Sequence, residues 1–263
     1  ELHTVGVEGP YTQQDVTELA ELLTGLNYTP LRGFFFDVDR AKPGAETVLG
    51  VAYGSDRTAT LDTIFQALDD LSVNPATAQH LAQKLAVHFV SDTPDPDLVT
   101  HMATKFRQSG GELMALYAAM LEHPASWSPE LANVKPPFDY MVSALRALDI
   151  PEKRYINWEW KDAERNLGAP LQVMGQHWEN PVGPDGWPEA DAEWITPVGI
   201  AGRIQWAMTI PPRIKKPFPD PRDFVGHALG RLAPASVTFA AGAAETPTEG
   251  VALVLASPAF QRR

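Results

Sequence analysis

Residues 74–111, NPATAQHLAQKLAVHFVSDTPDPDLVTHMATKFRQSGG, decide the fold class of this chain. Asn74 is a good helix N-cap, and Pro75 suits the first helical position, where its missing N–H would have had no partner anyway. Beyond them Leu81, Leu85 and Phe89 recur every four residues with Ala78, Ala82 and Ala86 alongside, the pattern of a core-facing helical stripe. Asp95-Pro96 gives a second start signal ahead of Leu98, Met102 and Phe106, with Val99 and Ala103 beside them, and Gly110-Gly111 gives the stop. The stretch reads as a helical hairpin joined by a Pro/Asp turn.

The same signals recur outward in both directions. Upstream, Thr12 caps a helix carrying Val16, Leu19, Leu22 and Leu23 that Gly25 ends, and Leu61, Ile64, Phe65, Leu68 and Leu71 mark another amphipathic helix. Between them Gly33–Val38 and Thr47–Tyr53 are rich in β-formers around Pro43-Gly44, which predicts one small hairpin with a long loop and no other sheet. Downstream, Leu113, Leu116, Tyr117, Met120 and Leu121 make a helix that stops near His123-Pro124. Pro136-Pro137 opens the next, with Phe138, Met141, Ala144, Leu145 and Leu148 inward and Lys135, Asp139 and Arg146 left for polar work. Thr196-Pro197 and Asp220-Pro221 open two more, and the Ala-rich segment from Pro234 to Arg263 suits two short helices. From Pro151 to Pro197 the character changes: Trp158, Trp160, Trp178, Trp187 and Trp194 sit among Gly/Pro turns, which predicts a long Trp/Pro/Gly-rich loop. The expectation is a mainly α, multi-helix globular domain, a single domain over 1–263.

Composition narrows the function classes. At 263 residues and 44% hydrophobic content the chain can bury a substantial core. The 21 Lys+Arg against 33 Asp+Glu give a net charge of -12, which repels phosphate backbones, and no basic patch offsets it, so nucleic acid is not an expected partner. The absence of cysteine excludes disulfides, thiolate metal sites and a Cys nucleophile. No apolar run approaches the ~20 residues that span a bilayer, so no transmembrane segment is expected. G-x-S-x-G, H-E-x-x-H, G-x-x-x-x-G-K-[ST] and G-x-G-x-x-G are all missing, which removes the usual serine hydrolase, zincin, P-loop and dinucleotide signatures. No pattern assigns a cofactor. No metal site is read either: Asp37-Val38-Asp39 is a weak signal, and His80 and His88 lie about 12 Å apart along a helix, whereas zinc ligands sit about 2 Å from the ion.

Two groups of residues could carry chemistry. In Glu1-Leu2-His3 a carboxylate and an imidazole two residues apart project to one side of an extended segment, which suits proton transfer. In the Trp-rich stretch Gln176, His177, Trp178, Asp185 and Trp187 sit on turns downstream of Trp158-Glu159-Trp160, and aromatic platforms beside amides and carboxylates suit ligands with apolar faces. The competing reading is that these tryptophans plug the loop onto the core. The leading expectation is a ligand-binding or interaction role for Gln176, His177, Trp178 and Trp187. The alternative is a carboxylate/His-dependent hydrolase in which Glu1, His3 or Asp185 handles protons while Trp178 and Trp187 orient a polar, saccharide-like substrate.

The order of several motifs resembles one bacterial family, domain of unknown function 1800. They are Glu1–Val7, Tyr11–Val16, Thr47–Gly50, Asn74–Ala78 with Lys84-Leu85, Lys135–Phe138, Ser143–Leu148, Met174–Gln176, Pro184–Pro188 and Ser257–Arg263, spread over nearly the whole chain. Many relatives carry His-Asp before the turn glycine of the hairpin and Lys two residues after it; this chain has Ala41-Lys42 or Lys42-Pro43, and Glu46. The resemblance implies a mostly helical protein, often exported or envelope-associated, hence a periplasmic or extracellular setting. It also implies that this chain is the C-terminal part of a longer protein, with the missing N-terminal region or another envelope protein as partner. It brings no reaction, cofactor or catalytic residue.

Overall fold

A computed structural model describes residues 2–58 and 60–263. The fold is mainly α-helical with two small antiparallel hairpins, and no closed sheet or barrel occurs among the described residues. The chain divides into two compact units, Glu1–Val87 with Thr93–Trp127 and His88–Asp92 with Ser128–Arg263.

The first unit contains α1 (Gln13–Leu22), β1 (Leu26–Thr29), β2 (Gly33–Phe36), β3 (Pro43–Val48), β4 (Val51–Thr58), α2 (Leu61–Ser72), most of α3 (Pro75–Phe89), α4 (Pro96–Gln108) and α5 (Leu113–Glu122). Thr12 caps α1 in a capping box with Asp15. The other oxygen of Asp15 accepts the Leu49 N–H at 2.7 Å, and Glu18 accepts the Thr47 N–H at 3.0 Å, so α1 is pinned to the β3–β4 hairpin. Leu22, Val48, Tyr53, Ile64 and Ala67 close the core between them. His80 of α3 meets the Leu2 carbonyl through Nε2 at 3.1 Å. Gly6, at φ 81°, lies under the same ring, where a Cβ would come within 2.6 Å of Nδ1. This imidazole anchors the N-terminal segment.

Two local expectations are revised here. The strand starting at Gly33 pairs with Leu26–Thr29 and not with Thr47–Tyr53; that second stretch instead spans the end of β3, the two-residue turn Leu49-Gly50 and the start of β4, and β3 and β4 pair with each other. Both turn residues have positive φ, 50° and 80°, the geometry that twists adjacent strands correctly. The first strand, Leu-Asn-Tyr-Thr, escaped notice because Asn27 and the following Pro30 read as loop. On α3 the buried positions are Ala78, Ala82 and Ala86 with Thr77, while Leu81 and Leu85 are only half-buried and Phe89 is exposed. The buried row is thus made of small residues.

The second unit contains α6 (Pro137–Ala147), α7 (Trp160–Ala163), a π turn (Glu164–Gly168), α8 (Ala169–Val173), α9 (Asp191–Trp194), α10 (Pro197–Thr209), α11 (Pro211–Ile214), α12 (Pro221–Leu229), α13 (Ala235–Ala243), α14 (Pro247–Ala256) and α15 (Pro258–Gln261). Its core is built on Tyr140, Met141, Leu171, Trp206, Phe224 and Leu255. At Gly250 of α14 a Cβ would fall 2.4 Å from the Pro221 ring, so the glycine sets how close α12 and α14 lie. The C-terminus is tied back to the entry of α6: Lys135 N–H donates to the Gln261 carbonyl at 2.8 Å and Arg263 N–H to the Asn133 carbonyl at 2.8 Å. Arg203, fully buried, donates to Gln261 Oε1 and to the Lys135 carbonyl. Its guanidinium also lies over the Tyr140 ring at 5.1 Å.

The long loop expected from Pro151 to Pro197 is shorter than its composition implies. Trp160–Val173 is one helical run that contains the π turn, and Asp191–Trp194 is a further helical turn. Pro170 explains the irregularity. Its ring would press on the Asn166 carbonyl four residues earlier and its nitrogen has no hydrogen to offer, so the preceding turn widens. The Trp206 indole N–H donates to that carbonyl at 3.0 Å, replacing the missing backbone donor in a buried place.

Candidate functional site

The second unit holds a cavity of about 240 Å³. From α6 it takes Phe138, Met141, Val142 and Leu145, three- and four-residue steps that put all four on one helix face. From the irregular helical run it takes Trp160, Ala163, Glu164, Leu167, Gly168 and Leu171, again on one face. Trp178 completes the lining. Met141 and Leu171 are buried, whereas Trp160 and Trp178 stay 76% and 55% exposed, so the two indoles offer large aromatic surface that the protein does not cover.

Trp178 is positioned by local backbone chemistry. Gly175, at φ 94°, ends α8: Gln176 N–H returns to the Leu171 carbonyl at 2.9 Å and Gly175 N–H to Gln172 at 3.0 Å, the paired bonds of a Schellman cap. The chain then turns toward α6, where Gln176 Oε1 accepts the Phe138 N–H at 2.7 Å and satisfies a free donor of the first helical turn. Trp178 follows two residues later, its ring 5.1 Å from that of Phe138.

One lining residue is charged. Glu164 is half-buried on the π turn, and its carboxylate lies over Gly168, where a Cβ would come within 2.2 Å of Oε2. The neighbouring ions are already paired, Glu159 with Lys161 at 3.0 Å and Asp162 with Arg165 at 2.7 Å. Among the described residues the carboxylate of Glu164 has no hydrogen-bond or ion-pair partner.

The other concentration of charge is in the first unit, where oxygens of Glu18, Glu21 and Glu46 lie within 4.8 Å of one another. Lys42 already occupies the role of a cation there: its ammonium bonds Glu21 and lies 3.7 Å from Glu46. Burial, then the hydrogen bond to Glu18, pushes the Glu46 carboxyl up, while the Thr47 N–H holds Glu18 down. The cluster braces α1 against β3.

The sequence candidates fall in separate places. Glu1 lies outside the described residues. His3 is exposed in the first unit. In the second unit Gln176 caps α6 and Trp178 lines the cavity. His177 is exposed, with its carbonyl accepting the Asn180 N–H. Asp185 lies exposed in a turn, over Gly183, and Trp187 is half-buried outside the cavity lining. Of the His80/His88 stripe, His88 pairs with Glu189 at 2.9 Å. Sequence reasoning missed Glu164, although the steps Trp160, Ala163, Leu167, Leu171 were a visible helical stripe inside the supposed loop.

The family model for protein of unknown function (DUF1800) matches residues 1–262. The chain belongs to the DUF1800 family. Comparison of this DUF1800 chain with curated proteins and with solved structures gave no match. Any functional reading therefore rests on its own side chains, and no helix among its described residues is long and apolar enough to cross a membrane.

Proposed function

We propose that the second unit is a binding module for a small ligand with an apolar body, held between α6 and the Trp160–Leu171 face under Trp178. The observation that carries this reading is the cavity itself: ten of its eleven lining residues are apolar, aromatic or glycine. A cavity of 150 Å³ holds benzene, so 240 Å³ has room for roughly ten non-hydrogen atoms. Saccharides fit less well, since they need several convergent polar groups and only Glu164 is offered. The hydrolase alternative requires an acid and a base facing one space, and Asp185 instead lies in an exposed turn. An envelope or extracellular setting belongs to this proposal through the family resemblance alone.

The test is a titration of the full chain with tert-butylbenzene, a neutral ligand of suitable size, followed by tryptophan emission. Saturable binding that Trp178→Ala weakens severalfold is the expected result. Emission that does not change, or a Trp178→Ala chain that binds equally well, would remove the proposal.

A further inference from the structure

Resting on that reading, we infer that the cavity selects an organic cation: an alkyl- or arylammonium group carried on an apolar body. Three observations converge on it. Trp160, Trp178 and Phe138 line the cavity, with the last two rings 5.1 Å apart and tilted by 42°. The faces of such rings carry the negative part of the quadrupole and attract a cation within about 6 Å, tryptophan most strongly. The single ionisable residue on the lining is Glu164.

The second observation is that this carboxylate is left available. Lys161 and Arg165, the basic residues nearest in sequence, are engaged by Glu159 and Asp162. The Glu164 carboxylate has no ion pair of its own to break when a cation enters. The third is the backbone that makes room for it. Glu164 and Gly168, both on the π turn, line the cavity, and the carboxylate lies over the Gly168 Cα. A neutral ligand would use the aromatic walls and leave Glu164 unanswered; an anion would be repelled. A trimethylammonium group uses both.

Phenyltrimethylammonium and tert-butylbenzene have the same shape and differ in one central atom and one charge, so calorimetric titration of the full chain with each isolates the cation. Wild type is expected to bind phenyltrimethylammonium roughly tenfold more tightly, and Glu164→Gln to abolish that preference while retaining tert-butylbenzene affinity. Far-UV circular dichroism confirms that the variant is folded. Equal or weaker binding of the cation by wild type overturns the inference and leaves the apolar pocket standing. A preference that survives Glu164→Gln also overturns it. If neither compound binds, the pocket reading falls as well.

Discussion

Replacing Trp206 with phenylalanine tests whether an indole N–H stands in for the backbone donor that Pro170 lacks. Trp206 is 2% exposed and its Nε1 donates to the Asn166 carbonyl at 3.0 Å. Phenylalanine keeps most of the contact with Tyr140, whose ring lies 5.8 Å away, but orphans that carbonyl. Leaving a buried acceptor unpaired costs about 1–3 kcal/mol, and the smaller ring adds a cavity worth roughly 1 kcal/mol. The expected loss is about 3 kcal/mol, or roughly 6–12 °C in the transition that reports this unit, read by thermal melting in far-UV circular dichroism. The decisive comparison is the same substitution in a Pro170→Ala background. There residue 170 has an N–H to offer Asn166, and the cost of Trp206→Phe should shrink by about 1 kcal/mol. A loss below about 1 kcal/mol, or an equal loss in both backgrounds, would refute the replacement argument.

Other substitutions probe the rest of the scaffold. Gly250→Ala brings a methyl to 2.4 Å from Pro221; overpacking at about 1–3 kcal/mol outweighs the gain in helix propensity of about 1 kcal/mol, so chemical denaturation should report net destabilisation. Tyr53 is buried and donates to Asp70 at 2.9 Å; burial, then that bond, pushes its hydroxyl from 10 up to about 12. The folded state thus holds this proton more tightly than the unfolded chain. The stability it contributes is complete below pH 10 and lost as pH rises through about 12, and Tyr53→Phe should flatten that part of a stability–pH curve. A slope unchanged by the substitution would assign the loss to other groups.

The helix starts were legible because capping is local chemistry. Thr12, Asp95-Pro96, Thr196-Pro197 and Asp220-Pro221 each cap or open the helix that their side chains and proline rings predict. What escaped was set by partners distant in sequence. Gly168 and Pro170 look like helix punctuation, yet the run continues through them because a π turn absorbs the ring and Trp206, in another helix, supplies the donor. Periodicity placed Leu81, Leu85 and Phe89 inward together with the alanines, but in the fold only the alanine row is buried. Trp178 was recognisable as an aromatic platform. Glu164 was not, because its significance lies in having no partner, which only the folded arrangement of Lys161 and Arg165 reveals.

The central claim, that the second unit binds a ligand between α6 and the Trp160–Leu171 face, is tested most directly by the indole N–H signals in a heteronuclear NMR spectrum of the full chain. Among the signals of the seven tryptophans, Trp160→Phe, Trp178→Phe and Trp187→Phe assign the three that matter. On adding tert-butylbenzene, the signals of Trp160 and Trp178 should move in a saturable way while that of Trp187, outside the lining, stays in place. If those two signals do not move, or if Trp187 moves instead, the ligand has no site where the cavity places it.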